Sequence, residues 1–334
     1  MAPADVPNGI ILYHYPFSPY ARRIVWYMTL RKIEYAQCLQ PPTLPRPDLA
    51  TLGVAYRRIP LLSINGSMYV DTRLILSKLE SLFPASDAHP AISSSSTAGL
   101  SALLSSFTID GGVFARSAQL MPTSLPVFKD DRFAKDRTDF TGSKFSPELL
   151  DRIRPEALAH MRRAFDTYEA LLADGRDWIA GTSSSGPGLP DIEGVWPLDW
   201  MRDLQSLPEE LFGARAYPKT NAWIDRFRAA VRKAPVRAVK VKGDAAAEFI
   251  LSAQPERKNL VVDAADPLPF KKGMQVLVFP TDTGASHKDR GELVALDKDE
   301  VVIAVQTKRD PAKKILLHAP RTGFRIIPAG PAKL

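Results

Sequence analysis

The first pattern in the chain is a short apolar run that leads into a helical repeat. Residues 10–12 are continuously apolar and are followed by Pro16, which predicts a buried strand. Ser18 suits the N-cap of the next helix because its hydroxyl can accept a bond from a free N–H, and Pro19 suits the first helical position. The apolar residues of this helix recur at helical spacing: Ile24, Val25, Met28 and Leu30. The pattern therefore predicts a strand, a tight turn and a helix with a hydroxyl at its mouth.

Two further strand signals and a second helix follow. Residues 33–39 alternate between apolar and polar, which predicts a strand; its Cys38 is interpreted as an ordinary small strand residue. Asn65-Gly66 lies between two apolar runs and predicts a hairpin turn. Asp71 or Thr72 can then cap an amphipathic helix. The order of elements predicts a small α/β sandwich over residues 8–85.

The middle of the chain is predicted to be helical. Apolar residues recur at helical spacing over residues 97–121, where Gly111-Gly112 allows a kink. The charged stretch 122–146 predicts a mobile excursion or a short helix. Further amphipathic patterns lie at 155–173, 192–204 and 220–231. Together these patterns predict an all-helical domain over residues 97–245.

The last part of the chain predicts a small β module. Its strand candidates are separated by Gly, Asp and Pro turns: 274–280, 292–296, 301–306, 315–318 and 324–327. This regular spacing predicts an SH3-like barrel over residues 268–330. Residues 268–334 carry 12 Lys and Arg against 7 Asp and Glu, so most of the net charge of +7 lies here. Such a surface can bind anions, although solvation alone commonly explains it. Without a row of aromatic residues to stack on bases, nucleic-acid binding is not predicted.

Composition narrows the class of protein further. The 334 residues are 45% hydrophobic and 24% charged, as expected for a soluble globular protein of two or three domains. No uninterrupted apolar run reaches about 18 residues, so no transmembrane helix is expected. The N-terminal residues lack the pattern of a secretory signal, and one cysteine excludes an intrachain disulfide or a CxxC pair within this sequence. These features predict a cytoplasmic protein.

The proline motifs and the order of elements resemble the thioredoxin-fold half of glutathione S-transferases. The motifs are Ser18-Pro19-Tyr20 at the start of a helix bearing an arginine, Arg22, and Ile59-Pro60 at the start of the third strand. The first motif resembles the serine-type subset, and the C-terminal extension resembles fungal members of the family. The resemblance implies a thioredoxin-like glutathione-binding domain, an all-α C-terminal domain and an additional β module.

The resemblance also implies roles for individual residues. Ser18 would donate a hydrogen bond to the sulfur of glutathione as the catalytic residue. Pro60 would be cis, which leaves the backbone of Ile59 to pair with the cysteinyl part of the tripeptide. Asp71-Thr72 would hold the γ-glutamyl end, with aspartate in place of the glutamate of the family, and Arg58 would hold the other charged end. No metal site is implied.

Several residues leave alternatives open. His14 falls where the tyrosine-type branch places its tyrosine, so it is an alternative to Ser18. Tyr13, Tyr15 and Tyr20 are nearby hydroxyls without a matched role. Asp191 matches the aspartate of a helix-capping box in the family, but Gly188 replaces the hydroxyl residue of that box, and either way Asp191 is interpreted as structural.

The function implied by the resemblance is that of an enzyme with glutathione as co-substrate. The glutathione thiolate would attack a hydrophobic electrophile, by conjugation or by glutathione-assisted isomerisation, in an apolar pocket lined from residues 104–119. A mixed disulfide is not expected, because serine cannot form one. A homodimer is also implied. The alternative is a catalytically weak binding or carrier protein on the same fold, since Asp71, Gly188 and the extra module depart from the family pattern.

Overall fold

The computed structural model describes residues 5–181, 186–253, 255 and 260–330. Its first unit has the predicted strand and helix order: β1 (Ile10–His14), α1 (Pro19–Leu30), β2 (Tyr35–Leu39), α2 (Pro47–Thr51), β3 (Leu61–Ile64), β4 (Ser67–Val70) and α3 (Thr72–Leu82). β1 pairs in parallel with β2 and antiparallel with β3, and β3 pairs antiparallel with β4. The thioredoxin-like unit is therefore confirmed, with the short helix α2 added between β2 and β3.

A layer of helices follows: α4 (Ser95–Ile109), α5 (Val113–Gln119), α6 (Asp131–Thr141), α7 (Pro147–Leu171), α8 (Leu189–Asp203), α9 (Glu209–Phe212) and α10 (Pro218–Arg232). Gly112 adopts a φ of +82° between α4 and α5, which confirms the predicted kink. The charged stretch contains the short helix α6. The predicted start of α7 at residue 155 was wrong, because Ser146 caps the helix earlier and Pro155 lies inside it.

By length and composition alone, the segment Ser95–Gln119 could cross a membrane. A core helix of a soluble protein passes the same test. In this structure α4 packs against α8, where Trp196 Nε1 donates a hydrogen bond to Thr108 Oγ1 (3.3 Å). The segment is therefore part of the helical layer in this structure.

The C-terminal part contains β5 (Ala238–Lys240), α11 (Gly243–Ser252), β6 (Gln275–Pro280), β7 (Asp289–Leu296), β8 (Glu300–Gln306), β9 (Lys314–Pro320) and β10 (Phe324–Pro328). The five predicted strands, β6 to β10, are confirmed, whereas β5 and α11 were not predicted. Within this module the strands pair antiparallel in the order β10-β6-β7-β8-β9, so the last strand returns beside the first.

The module continues the N-terminal sheet. β9 pairs in parallel with β4 through Met68–Leu317 and Tyr69–His318, and β5 pairs in parallel with β2. The ten strands therefore form one sheet, in the order β10-β6-β7-β8-β9-β4-β3-β1-β2-β5. The sheet crosses the boundaries predicted between the first domain and the module.

Both faces of β1 are covered, which explains its continuous apolar run. Successive strand residues point to opposite faces. Ile10 and Leu12 belong to a core shared with the helical layer, whereas Ile11 and Tyr13 belong to a second core shared with α11 and the module. The N-terminal unit is therefore packed between the helices on one side and the module on the other.

Candidate functional site

Ser18 lies at the mouth of α1. Its Oγ accepts a hydrogen bond from the backbone N–H of Ala21 (3.2 Å), which confirms the predicted N-cap. A hydroxyl has one donor and two acceptor positions, so this bond leaves the Ser18 O–H free to donate. The helix N-terminus adds a partial positive charge at the same place. The arrangement can therefore stabilise an anion such as a thiolate.

The peptide between Ile59 and Pro60 is cis, as the resemblance implied. Ile59 and Pro60 directly precede β3, which pairs with β1 through Leu61 and Tyr13. This pairing brings the cis-proline segment to the end of β1 from which Ser18 follows. Pairing of the Ile59 backbone with a peptide ligand stays a prediction.

Asp71, and not Thr72, is the N-cap of α3. It has a φ of +68°, which is uncommon for a residue with a side chain, and its Oδ1 accepts hydrogen bonds from Arg73 N (2.9 Å) and Nε (3.3 Å). Within the described residues, Asp71 Oδ2 makes no hydrogen bond and can accept one from a ligand ammonium group. Thr72 is buried behind it.

Arg23 connects Thr72 to the helical layer, and this role was not predicted from the sequence. The guanidinium is fully buried and donates to Thr72 Oγ1 (2.5 Å) and Ser105 Oγ (3.3 Å). It also pairs with Glu193, and burial raises the pKa of that carboxyl while the charge of Arg23 opposes the rise. The signal was the position of Arg23 one helical turn before Tyr27, on the buried face of α1.

Arg58 is held by the C-terminal module. Its Nε donates to the carbonyl of Thr283 (2.9 Å), and its Nη2 donates to the same carbonyl (2.5 Å) and to Asp282. These partners follow β6, more than 220 residues away in the chain. The predicted ligand-binding arginine is therefore already paired within the protein.

Tyr20 lies beside this group of residues. Its ring packs against Phe114 and Trp196, with centroid distances of 4.7 Å to each. Burial raises the pKa of its phenol, the nearby Arg23 lowers it, and Asp71 raises it. Tyr20 is thus a protonated hydroxyl near Asp71, a position for which no role was predicted.

His14, the alternative to Ser18, is turned elsewhere. Its Nε2 lies 3.1 Å from Gln37 Oε1, and burial lowers its pKa. Together with Arg22 it lines a cavity of about 460 Å³ between α1, α8 and α10, which Ser18, Arg58 and Asp71 do not line. Arg22 is not a surface residue there but pairs with Asp199 and Asp203.

Asp191 has the structural role that was predicted. It is completely buried, and its two oxygens accept hydrogen bonds from Ile179 N, Trp223 Nε1 and Gly188 N at 2.8, 2.8 and 2.9 Å. Gly188 takes the N-cap position without a side chain. The carboxylate therefore fixes the start of α8 without the second half of the capping box.

Cys38 is also structural. Burial raises the pKa of its thiol to about 12, and it contacts Asp48 and Gln40. Among the residues that the structure describes, no group of three or more His, Cys, Asp or Glu side chains is placed to hold a metal ion.

Comparison with known families matches two parts of the chain. Residues 12–87 match the family described as "Glutathione S-transferase, N-terminal domain". Residues 116–236 match a family described as "Domain of unknown function (DUF7962)". No curated protein matches the sequence.

Solved structures match the fold over different lengths. A GST-like protein from Pseudomonas syringae is 23% identical, with a TM-score of 0.72, and the match covers 96% of this chain and 100% of that one. Glutathione transferase F7 from Populus trichocarpa is 17% identical, with a TM-score of 0.49 and coverage of 72% and 99%. Rice GST1, solved in complex with glutathione, is 17% identical, with a TM-score of 0.47 and coverage of 72% and 96%.

The match to the bacterial structure is long enough to include the C-terminal strands. Because the two sequences are only 23% identical, this likeness shows the fold and not the activity. The serine-type and fungal assignments stay predictions. The chain carries a glutathione S-transferase N-terminal domain and has the glutathione S-transferase fold, with a helical C-terminal domain and an added module of strands.

Proposed function

We propose that this protein is a glutathione-dependent transferase in which Ser18 activates the thiol. The observation that supports this most is the Ser18 hydroxyl at the mouth of α1, in a segment that matches a glutathione S-transferase N-terminal domain. A free thiol is largely protonated at pH 7. A donated hydrogen bond and the helix dipole both favour the thiolate, which is the nucleophile.

The residues around Ser18 suit the remaining parts of the tripeptide. Asp71 offers a carboxylate oxygen to the γ-glutamyl ammonium group, and Thr72 lies at the N-terminus of α3, where N–H groups favour a carboxylate. The backbone of Ile59 would hold the cysteinyl part. Arg58 supplies a cation for the glycyl carboxylate, provided that its contact with Asp282 is released.

The proposed electrophile is a hydrophobic small molecule held against α5. Leu104, at the start of the predicted pocket lining, and Ser117, near its end, are buried in the helical core. Phe114 lies between them and packs against Tyr20, which brings this stretch to the candidate site. The proposed reaction is conjugation or glutathione-assisted isomerisation.

The second candidate is a binding or carrier protein on the same fold. The pairing of Arg58 with Asp282 favours it, because a permanent internal partner would weaken the hold on glutathione. We further propose that the protein is cytoplasmic and homodimeric, which size-exclusion chromatography with light scattering would test for the dimer.

The test is a pair of Ser→Ala substitutions. Ser18→Ala and Ser146→Ala each remove an N-cap hydroxyl whose oxygen accepts a backbone N–H at 3.2 or 3.3 Å. Each should cost about 1 kcal/mol of stability. Only Ser18→Ala should lower glutathione turnover on an aromatic halide, by about 100-fold, in line with the loss of one donor to a reacting anion. Turnover equal in both variants would reject the catalytic role, and glutathione binding without turnover in the wild type would favour the carrier.

A further inference from the structure

The connection between β6 and β7, residues 281–288, lies against Arg57 and Arg58 at one end of the candidate site, and we call it the strap. Its Asp282 carboxylate and Thr283 carbonyl take the Nε and Nη2 donors of Arg58. Gly284 lies so close that a Cβ there would be 3.0 Å from Arg57 Cγ, with a φ of +75° that also favours glycine. The strap is therefore fitted to Arg57 and Arg58.

α6 holds the strap from the other side. Gly284 N donates to the carbonyl of Phe140 (2.7 Å), and His287 Nε2 lies 2.8 Å from Asp139 Oδ2. Arg57 pairs with Asp136 (2.8 Å) and with Asp139. The strap and α6 thus form a clamp around the two arginines that precede Ile59.

A second turn of the module lies at the opposite end of the candidate site. Thr281 N donates to the carbonyl of Gly323 (2.9 Å), which joins this turn to the strap. A Cβ on Gly323 would be 3.0 Å from Arg73 Nη2, and Arg73 is the residue that contacts Asp71. The module therefore reaches both ends of the groove in which the tripeptide is proposed to lie.

The candidate residues are covered in this arrangement. Ser18 is 2% exposed, Ile59 7% and Thr72 3%. The strap contacts one of the predicted ligand-binding residues through an ion pair. Asp282 offers Arg58 a carboxylate, which is the same group that the glycyl end of glutathione would offer.

We propose that the strap is an internal competitor of glutathione, with Asp282 occupying at Arg58 the position of the glycyl carboxylate. This inference rests on the proposed function. The ligand displaces the strap by exchanging one carboxylate for another at Arg58, so the site is closed until glutathione binds. The C-terminal module thereby sets the affinity of a site that lies in the N-terminal domain.

The ion pair between Asp282 and Arg58 is weak enough to be exchanged for a ligand carboxylate. The side chain of Asp282 is 61% exposed, and its partner Arg58 is 17% exposed. Ion pairs with such an exposed member contribute about 0–1 kcal/mol, which corresponds to at most about a fivefold change in an equilibrium constant. Removal of the Asp282 carboxylate should therefore tighten glutathione binding by about two- to fivefold.

The experiment is calorimetric titration of three proteins with two ligands. The proteins are the wild type, Asp282→Ala and the control Asp299→Ala, which removes an exposed carboxylate from another turn of the same module. The ligands are glutathione and its glycyl ethyl ester, which lacks the carboxylate that would meet Arg58. Asp282→Ala should bind glutathione more tightly than the wild type and the ester no more tightly, while Asp299→Ala should match the wild type.

The outcomes separate the strap from the proposed function. If the wild type and Asp282→Ala bind glutathione equally well, the strap is not a competitor, but the proposed function stands. The same conclusion follows if Asp282→Ala gains as much affinity for the ester as for glutathione. Binding by Asp282→Ala but not by the wild type supports it. Binding by neither protein overturns both proposals. In the wild type, hydrogen exchange of residues 281–288 should rise when glutathione is added, and an unchanged or slower exchange would contradict displacement.

Discussion

Asp289, the first residue of β7 and the base of the strap, carries a buried carboxyl that should make stability depend on pH. Its Oδ1 accepts hydrogen bonds from the backbone N–H groups of Ala55 (2.6 Å) and Tyr56 (3.3 Å). Burial raises its pKa to about 7, and these two bonds lower it. In the unfolded chain its pKa should be about 3.9. Between these values the folded protein holds a proton that the unfolded chain releases.

The sign and size of the effect follow from this difference. The folded state binds more protons between about pH 4 and pH 7, so the free energy of unfolding falls as the pH rises through that window. Each pKa unit is worth about 1.4 kcal/mol, so about three units correspond to about 4 kcal/mol lost by pH 8, of which about a third is already lost at pH 5.

Asp289→Asn isolates this contribution. Asparagine keeps an acceptor for the two N–H groups and stays neutral at every pH. The stability of the variant relative to the wild type should increase by about 3 kcal/mol between pH 5 and pH 8, measured by urea unfolding. The exposed control Asp299→Asn should show no such increase. A difference between Asp289→Asn and wild type that does not change with pH would refute the reasoning, since it would mean that the carboxyl is already ionised at pH 5 in the folded protein.

Three further predictions concern buried polar groups. Cys38 should not react with a thiol reagent in native protein at pH 8, because its pKa is raised to about 12, but should react fully in urea; rapid native labelling would contradict this burial. Asp191→Ala should lower the free energy of unfolding by about 3 kcal/mol in urea titration, since two buried donors and one half-buried donor lose their acceptor, and a loss below 1 kcal/mol would contradict that role. Glu193→Gln should lose about 3–5 kcal/mol in thermal unfolding because Arg23 is left unpaired, and the double variant with Arg23→Met should recover much of that loss.

Local signals in the sequence were sufficient for the N-terminal unit. A cap and an N1 proline mark the start of α1 at Ser18-Pro19, and Asn65-Gly66 marks the hairpin between β3 and β4. Such signals involve residues only a few positions apart, so they can be recognised in the sequence without knowledge of the fold. The five strands of the module could be predicted for the same reason, because short apolar segments lie between Gly, Asp and Pro turns.

The parts that could not be predicted depend on contacts between distant residues. β5 is three residues long and exists as a strand because it pairs with β2, about 200 residues earlier. The pairing of Arg58 with Asp282 spans 224 residues, and no local pattern encodes it. Arg23 was missed because a charged residue on an apolar helix face looks like a break in the pattern until its partner, Glu193, is placed beside it.

The way the module is joined to the sheet decides how its role can be studied. His318 of β9 stacks on Tyr69 of β4 with a centroid distance of 4.3 Å, and Glu300 of β8 pairs with both His318 (3.0 Å) and Lys78 of α3 (2.6 Å). Deleting the module would expose the edge of β4 and the apolar face that it shares with the module, and an exposed edge strand promotes aggregation. Loss of activity in such a truncation would report unfolding and not the strap. Single substitutions at exposed positions such as Asp282 leave the sheet intact, so they are the changes that can assign a function to the module.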